Sequence, residues 1–445
     1  GRVGYNYKSK YLFQANLRAD GSSRFGRANR FGFFPSASGA WRFSAEPFLE
    51  NATFLNDGKL RLSVGQTGNE AIGNYTSQGE FAIGYNYLDN SGAAPTVMPN
   101  ANLTWETSTQ YDLGLDISLL NHRVSFTGDV YIKNTRDLLF DVPIPETSGF
   151  AYMTQNIGKI QNKGLELALT TRNLTSDLKW NTTFNIGFNR NMVKSLPEQV
   201  LTNGYIQNGA FHILKVGQPI GVFYGYKFLG VYASDADNVN KVRNGSANGK
   251  IFAGGDPIWD DRNGDQVINA EDQQTIGNAQ PNFTGGFIND FTYRNFSLNI
   301  FFQFSNGNDI YSQLNQLRHS VVAYNNVSRD ALDRWKTQGD ITDYPRTIFN
   351  DPLASDSRVS DRWISDGSYL RLKNVRLAYN LPQRLMDKLS LRSVKVYASG
   401  ENLLTWTKYT GYDPDVSSYS GLRIGIDGGS YPQSRTFIFG LNVEL

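Results

Sequence analysis

The chain has 445 residues, 43 Lys plus Arg against 41 Asp plus Glu, and no cysteine. A net charge of +2 argues against a nucleic-acid-binding protein, and the absence of cysteine excludes a disulfide scaffold, a zinc–thiolate site and a cysteine nucleophile. Aromatics at 13% and 43 glycines suit strands and turns better than helices.

In chain order, the dominant signal is alternation at period two. The opening 1–7 already reads as strand, so the chain is expected to begin inside something larger. Strands follow at 10–20, 32–44, 58–67 and 103–119. In the last, Tyr111, Leu113, Leu115, Ile117 and Leu119 oppose Asp112, Asp116 and Ser118. Next come 121–135, 157–172 and 177–191. Val124, Phe126, Val130 and Ile132 share a face in the first of these, and Leu165, Leu167 and Leu169 in the second. After a long interval come 282–292 and 295–306, with Phe296, Leu298, Ile300, Phe302 and Phe304 on one face. The last three are 368–381, 392–405 and 434–445. In 368–381 the phase changes between Leu372 and Val375, which predicts a β-bulge near Lys373–Asn374. Segments 79–88 and 218–232 also look extended and are expected as hairpin pieces within loops.

No run of about 18 apolar residues exists, so no membrane-spanning helix is expected. The strands are about ten residues or longer, against about five or six in soluble proteins and about nine to eleven for a tilted membrane strand. Connections alternate between short turns (120–122, 173–176, 293–295) and long loops (137–156, 192–281, 307–367, 406–433). Short turns at one rim and long loops at the other are the habit of outer-membrane barrels. The expected fold is therefore all-β, a transmembrane antiparallel up-and-down β-barrel. Residues 1–445 form one barrel domain of about 13 strands, with 192–281 and 307–367 as large extracellular loop regions. Thirteen is odd, and an open edge facing lipid is costly, so further strands are expected upstream.

Particular segments carry a family resemblance. The run from Tyr11 to Phe25 (YLFQANLRADGSSRF), followed by 33–38 (FFPSAS) with Trp41 and Arg42, resembles the SusC/RagA family of TonB-dependent outer-membrane importers of Bacteroidetes-type bacteria. Further matches, in the family's order, are 63–69 (SVGQTGN), 156–166 (NIGKIQNKGLE), 217–226 (GQPIGVFYGY) and 260–265 (DDRNGD). Gly277 and Asn278 with 281–283 (PNF), then 369–375 (YLRLKNV) and 399–403 (SGENL), complete the set. The resemblance implies a 22-stranded barrel of which this is the C-terminal part, with the plug domain and signal peptide not in this sequence. It implies energised import, through TonB, of an oligosaccharide or peptide across the outer membrane, under a SusD-like surface lipoprotein lid. A dimer of the transporter–lid pair is a further implied assembly. Two rivals stay open: a passive porin or surface-assembly adhesin on the same barrel, and a secreted β-rich carbohydrate-active enzyme.

One motif has metal-ligand spacing. Asp261, Asn263, Asp265, the Val267 carbonyl, Asn269 and Asp272 fall at positions 1, 3, 5, 7, 9 and 12 of a calcium loop, where a hard cation takes oxygen donors from a turning backbone. Gln266 stands where glycine usually makes the sharp turn, and Asp272 where a longer glutamate is usual. A Ca²⁺ ion here would stiffen an extracellular loop; no other cofactor is expected. No catalytic constellation emerges: His122, His212 and His319 are far apart, and no nucleophile elbow, zinc-protease motif or phosphate loop occurs. Asp112, Asp116, Glu166 and Glu444 read as polar lumen lining. Trp180, Tyr11, Trp41, Tyr293 and Trp406 read as interface anchors. Trp259, Tyr311, Tyr324, Tyr409 and Tyr412 are the aromatic candidates for stacking on a substrate. Residues 328–338 read as a short helix started by Ser328 and stopped by Gly339.

Overall fold

The computed structural model describes residues 1–198, 201, 204–245, 249–319, 326–349, 351, 358–415 and 421–444. Thirteen strands form one sheet: β1 Arg2–Tyr7, β2 Tyr11–Gly21, β3 Phe31–Trp41, β4 Leu55–Asn69, β5 Glu106–Leu119, β6 Val124–Pro143, β7 Tyr152–Thr175, β8 Leu178–Ser195, β9 Phe283–Tyr293, β10 Phe296–Asn306, β11 Tyr369–Asn380, β12 Ser393–Thr407 and β13 Thr436–Glu444. Each pairs antiparallel with its neighbour in the chain, the order of an up-and-down wall, and all thirteen predicted strands are present. Among the described residues β1 and β13 are the two edges of the sheet.

Side chains alternate across the wall. On the outward face Val3, Phe13, Leu62, Leu113, Phe437 and Phe439 lie open, Phe439 with 81% of its surface uncovered. The inward face carries Arg61, Asp116, Asp129 and Glu166 instead. A contiguous apolar face of this kind marks a surface that meets a partner or a membrane.

The bulge falls where the phase change put it. Phe301 pairs with Asn374 and Phe302 with Leu372, leaving Lys373 unmatched. The other neighbour adjusts as well: Leu372 faces Leu404 while Asn374 faces Glu401, and Asn402 turns through the left-handed region at φ 52°.

Tight turns join the strands at one rim. Leu120, Asn121 and His122 all take positive φ, between 55° and 58°, reversing the chain between β5 and β6. At the opposite rim the connection predicted as loop 137–156 is mostly strand. The β6–β7 ladder runs on to Pro143 opposite Tyr152, so β7 reaches 24 residues and only 144–151 is turn. The physical reason is burial. Val142, Ile157, Ile160 and Val193 pack with the loop residues Ile206 and Leu214, which rewards pairing well past the length needed to cross a bilayer.

Two glycines on the wall are held by facing aromatics. Tyr397 pairs with Gly440, and a Cβ on Gly440 would stand 2.2 Å from its ring; Tyr131 likewise covers Gly164 at 2.3 Å. The Arg376 guanidinium lies over the Tyr397 ring, 4.1 Å from the centroid. Gly440→Val is expected to destabilise the folded barrel by about 1–3 kcal/mol through overpacking. Urea unfolding in lipid vesicles measures it, and adding Tyr397→Ala should restore part of the loss.

Candidate functional site: inner wall and loop canopy

The inner wall between β4 and β8 is a charged strip. Asp116 receives Lys59 Nζ at 2.9 Å and Arg61 Nε at 2.9 Å, while Arg61 Nη2 reaches Asp129 at 2.8 Å. Gly114 makes room for this network: a Cβ there would stand 2.4 Å from Asp129 Oδ1 and 2.5 Å from Arg61 Cζ. The Tyr131 hydroxyl donates to Asn189 Oδ1 at 3.1 Å. A cleft of about 650 Å³ runs along the strip, lined by Arg61, Gln110, Asp112, Lys133, Asn162 and Glu166. The acids predicted as lumen lining are therefore on it, except Glu444, which meets Arg392 at the short-turn rim. His122 is at that rim too, its Nδ1 2.9 Å from Ser118 Oγ.

Over the long-loop rim the loops fold into a canopy with its own cores. Phe211 and Phe223 from the 196–282 connection pack against Tyr311 and Trp363 from 307–368 and Ile426 from 408–435. Strand Asp309–Ser312 ties two of these loops together, pairing antiparallel with Ile364–Asp366 of its own loop and parallel with Ile426–Asp427 of the other. A four-stranded sheet joins Ile206–Asn208, His212–Leu214, Val222–Gly225 and Gln274–Asn278, and Phe228–Val231 pairs with Pro257–Trp259. The extended segment 79–88 becomes the hairpin Glu80–Ile83 with Ala93–Val97, and 218–232 becomes two of the canopy strands.

Buried ion pairs fasten the canopy. Asp256, fully covered, takes Arg346 through both oxygens at 2.8 and 3.0 Å, joining two loops. Burial pushes its carboxyl above the usual range, opposed by the Ala253 N–H and by Arg346. On the barrel wall Arg371, 1% exposed, pairs with Asp413, lies 3.6 Å from Asp415 and donates to Thr405 Oγ1. Asp413 in turn accepts the backbone N–H groups of Asp415 and Gln433.

The aromatic candidates differ from one another in burial. Trp259 is 5% exposed and packs between Tyr226 and Phe228; Tyr311 is fully buried; Tyr409 is buried with its hydroxyl donated to Asp427. These three are canopy core, because loops this rich in aromatics collapse on one another and hide the rings as their own hydrophobic filling. Tyr412 is exposed, and Tyr324 lies outside the described residues. Residues 328–338 make only a 3₁₀ turn at Arg329–Asp333, beyond which Trp335 turns away to donate its ring N–H to the Ala233 carbonyl.

The calcium-like loop is one compact turn. Asp261 accepts the N–H of Gly264 and of Gln266, Asn263 that of Asp265, Asp265 that of Val267, and Asn269 that of Glu271. Gln266 sits at φ 65°, so it adopts the glycine conformation that the position demands. Asp272 is buried and accepts from Arg262 and Asn269. Burial raises its pKa; those N–H groups oppose the shift, and the charges of Asp261 and Asp265 add to it. Among the described residues no three His, Asp or Glu side chains converge closely enough to hold a metal alone. A cation here would need the Asn263 and Asn269 oxygens and the Val267 carbonyl as well.

Two cavities open between wall and canopy. One, of about 830 Å³, is lined by Asn185, Gln303, Ser305, Asn308, Tyr369 and Asp415. The other, of about 720 Å³, lies by the β6–β7 ribbon and is lined by Asp141, Tyr152, Thr154, Gln207 and Arg423 among others. Sequence reasoning missed both, since each draws on segments far apart in the chain. Both fall within the usual size range of ligand-binding clefts.

A polar-lined, antiparallel up-and-down wall, apolar outside and roofed by packed loops, defines a large barrel of the membrane receptor and transporter class. The family model described as TonB dependent receptor-like, beta-barrel, matches residues 1–403, and the chain belongs to that family. It is 39% identical over 462 residues to TonB-dependent receptor P3 of Formosa agariphila, covering 100% of this chain and 45% of that protein. It is 31% identical over 477 residues to TonB-dependent receptor SusC of Bacteroides thetaiotaomicron, covering 100% and 43%. The solved structure of the RagAB peptide transporter superposes with a TM-score of 0.83 at 26% identity, covering 100% of this chain and 47% of that one. The resemblance to SusC and RagA is thus shown, and the chain spans about half the length of the relatives it matches.

Proposed function

We propose that this chain is the C-terminal barrel portion of an outer-membrane importer that takes up an oligosaccharide or peptide by a TonB-dependent mechanism. The long-loop rim faces outward, beneath a SusD-like surface lipoprotein. The observation that carries this reading is the two-faced wall: an apolar band open on the outside and a charged strip, with its cleft, inside. Strands upstream of β1 would pair with the edges at β1 and β13, which lipid would otherwise leave with unpaired N–H and C=O groups. Solute would settle in the polar cavities under the canopy and pass down the Lys59–Asp116–Arg61–Asp129 strip. Its charged groups are already mutually paired, so they offer hydrogen bonds without a deep electrostatic trap.

The test is uptake of labelled oligosaccharide and peptide pools by cells expressing the full-length protein. Uptake of one pool should cease on deleting the lipoprotein partner and on collapsing the proton gradient. Uptake that survives the uncoupler would mean a passive pore, and turnover of a glycan by detergent-free protein would mean an enzyme.

The 261–272 turn is proposed to take Ca²⁺ as a stiffener of the canopy. Titration calorimetry should give a Kd on the order of 10⁻⁴–10⁻³ M, the range of extracellular modules, and Asp265→Asn should abolish the heat. No heat with the parent protein would leave the turn as a plain Asx-rich loop.

A further inference from the structure

We propose that the β2–β3 turn, residues 22–30, is a docking site for a phosphorylated lipid of the outer leaflet; this rests on the membrane orientation proposed above. The turn carries Arg24, Arg27 and Arg30 and no acid between Gly21 and Phe34. Arg27 and Arg30 are exposed, and among the described residues neither side chain has a hydrogen-bond or ion-pair partner. Arg24 bonds only neutral groups, Asn74 Oδ1 at 3.2 Å and the Glu70 carbonyl at 3.1 Å. The nearest acid along the chain, Asp20, is already taken by Arg18 at 2.6 Å. The turn thus carries three positive charges and no acid of its own.

The turn is also held in place. Phe25 is 1% exposed beneath Trp105, with ring centroids 5.2 Å apart. The Trp105 ring N–H donates to the Arg30 carbonyl, and Asn29 donates to the Leu103 carbonyl. The arginines are thus presented by a fixed backbone, which lowers the ordering cost of binding.

Directly below, the outward faces of β2 and β3 continue into the apolar band. Phe31, Phe33 and Leu17 are 72%, 66% and 55% exposed. In register, Phe33 faces Ala19 and Pro35 faces Leu17, so the outward face of the pair is apolar on both strands. Cations set immediately above an apolar wall match a lipid with phosphate at its head and acyl chains beneath. A free phosphate would use the arginines and leave the apolar face unused.

The experiment is native mass spectrometry of the detergent-solubilised full-length protein with added monophosphoryl lipid A, its dephosphorylated form, and inorganic phosphate. The parent should retain the phosphorylated lipid over the dephosphorylated one. Arg27→Gln with Arg30→Gln should weaken retention about twenty- to thirtyfold, at about fivefold per arginine. Arg294→Gln, at the opposite rim, should change nothing. Equal retention of the two lipids, equal retention by the double variant, or full competition by millimolar phosphate would each overturn the proposal. Membrane extraction and heat-modifiable migration on gels, recorded on the same samples, separate this from failure of the barrel reading itself.

Discussion

Arg371→Ala is expected to release the 408–435 loop from the barrel wall while leaving the strands paired. Arg371 is among the largest fully buried side chains, and it anchors the loop through Asp413. Its removal leaves the Asp413 carboxylate buried with only the backbone N–H groups of Asp415 and Gln433. Breaking one side of such a pair costs about 3–5 kcal/mol, more than the pair itself contributes. The loss should be local, because the ladder partners of Arg371, Gln303 and Thr405, keep their backbone bonds. Hydrogen exchange read by mass spectrometry should show 408–435 opening, with protection kept in β11 and β12. Arg371→Met combined with Asp413→Leu should recover much of the protection, since it removes both charges together. Equal exchange in parent and Arg371→Ala would mean that the Ile426 contacts alone hold the loop.

Acidification should loosen the canopy through His212. This ring is fully buried, 4.7 Å from Phe223, with Nε2 3.0 Å from the Ile424 carbonyl. A neutral imidazole protonated at Nε2 satisfies that carbonyl. Burial lowers its pKa to about 4, the Ile424 carbonyl opposes the shift, and the Arg423 charge adds to it. The sign follows from proton counting. An opened loop takes up a proton near pH 6.5, whereas the folded one holds out to about 4. The unfolded state therefore binds more protons across that window, and stability falls as pH drops through it. The full loss, near pH 4, is about 3 kcal/mol. Limited proteolysis at 206–225 from pH 7.5 to pH 4 should show a threshold that His212→Gln removes. His122, exposed at the short-turn rim with its Nδ1 2.9 Å from Ser118 Oγ, serves as the control substitution.

Both predictions concern the canopy, beneath which the proposed reading places the solute. Its three long loops share one core, and the 307–368 and 408–435 loops also pair strand to strand. Asp256 with Arg346 and Arg371 with Asp413 are the charged joints in that assembly. Each cavity is lined by residues from several loops: Ala279, Ile310 and Gly425 in one, Val97, Gln207 and Arg423 in the other.

The wall was legible in the sequence. Each strand carries its own two-residue period, and alternate residues must face opposite media whatever the neighbours do. This gave the thirteen strands, their antiparallel order, the two rims and the bulge at Lys373, whose phase slip is visible in Leu370, Leu372, Val375 and Leu377. Family membership was legible for a related reason, since short motifs kept in one order survive without any knowledge of contacts. The canopy was not. Trp259, Tyr311 and Tyr409 look alike as loop aromatics, and only packing decides that all three are core while Tyr412 is open. The β6–β7 ribbon outran its expected end because Val142 and Ile157 found partners in Ile206 and Leu214, far along the chain. Periodicity is a local property of a strand in a layered environment. Loop burial, buried ion pairs and cavities are properties of which distant segments meet, and those meetings exist only once the wall has brought the loops to one rim.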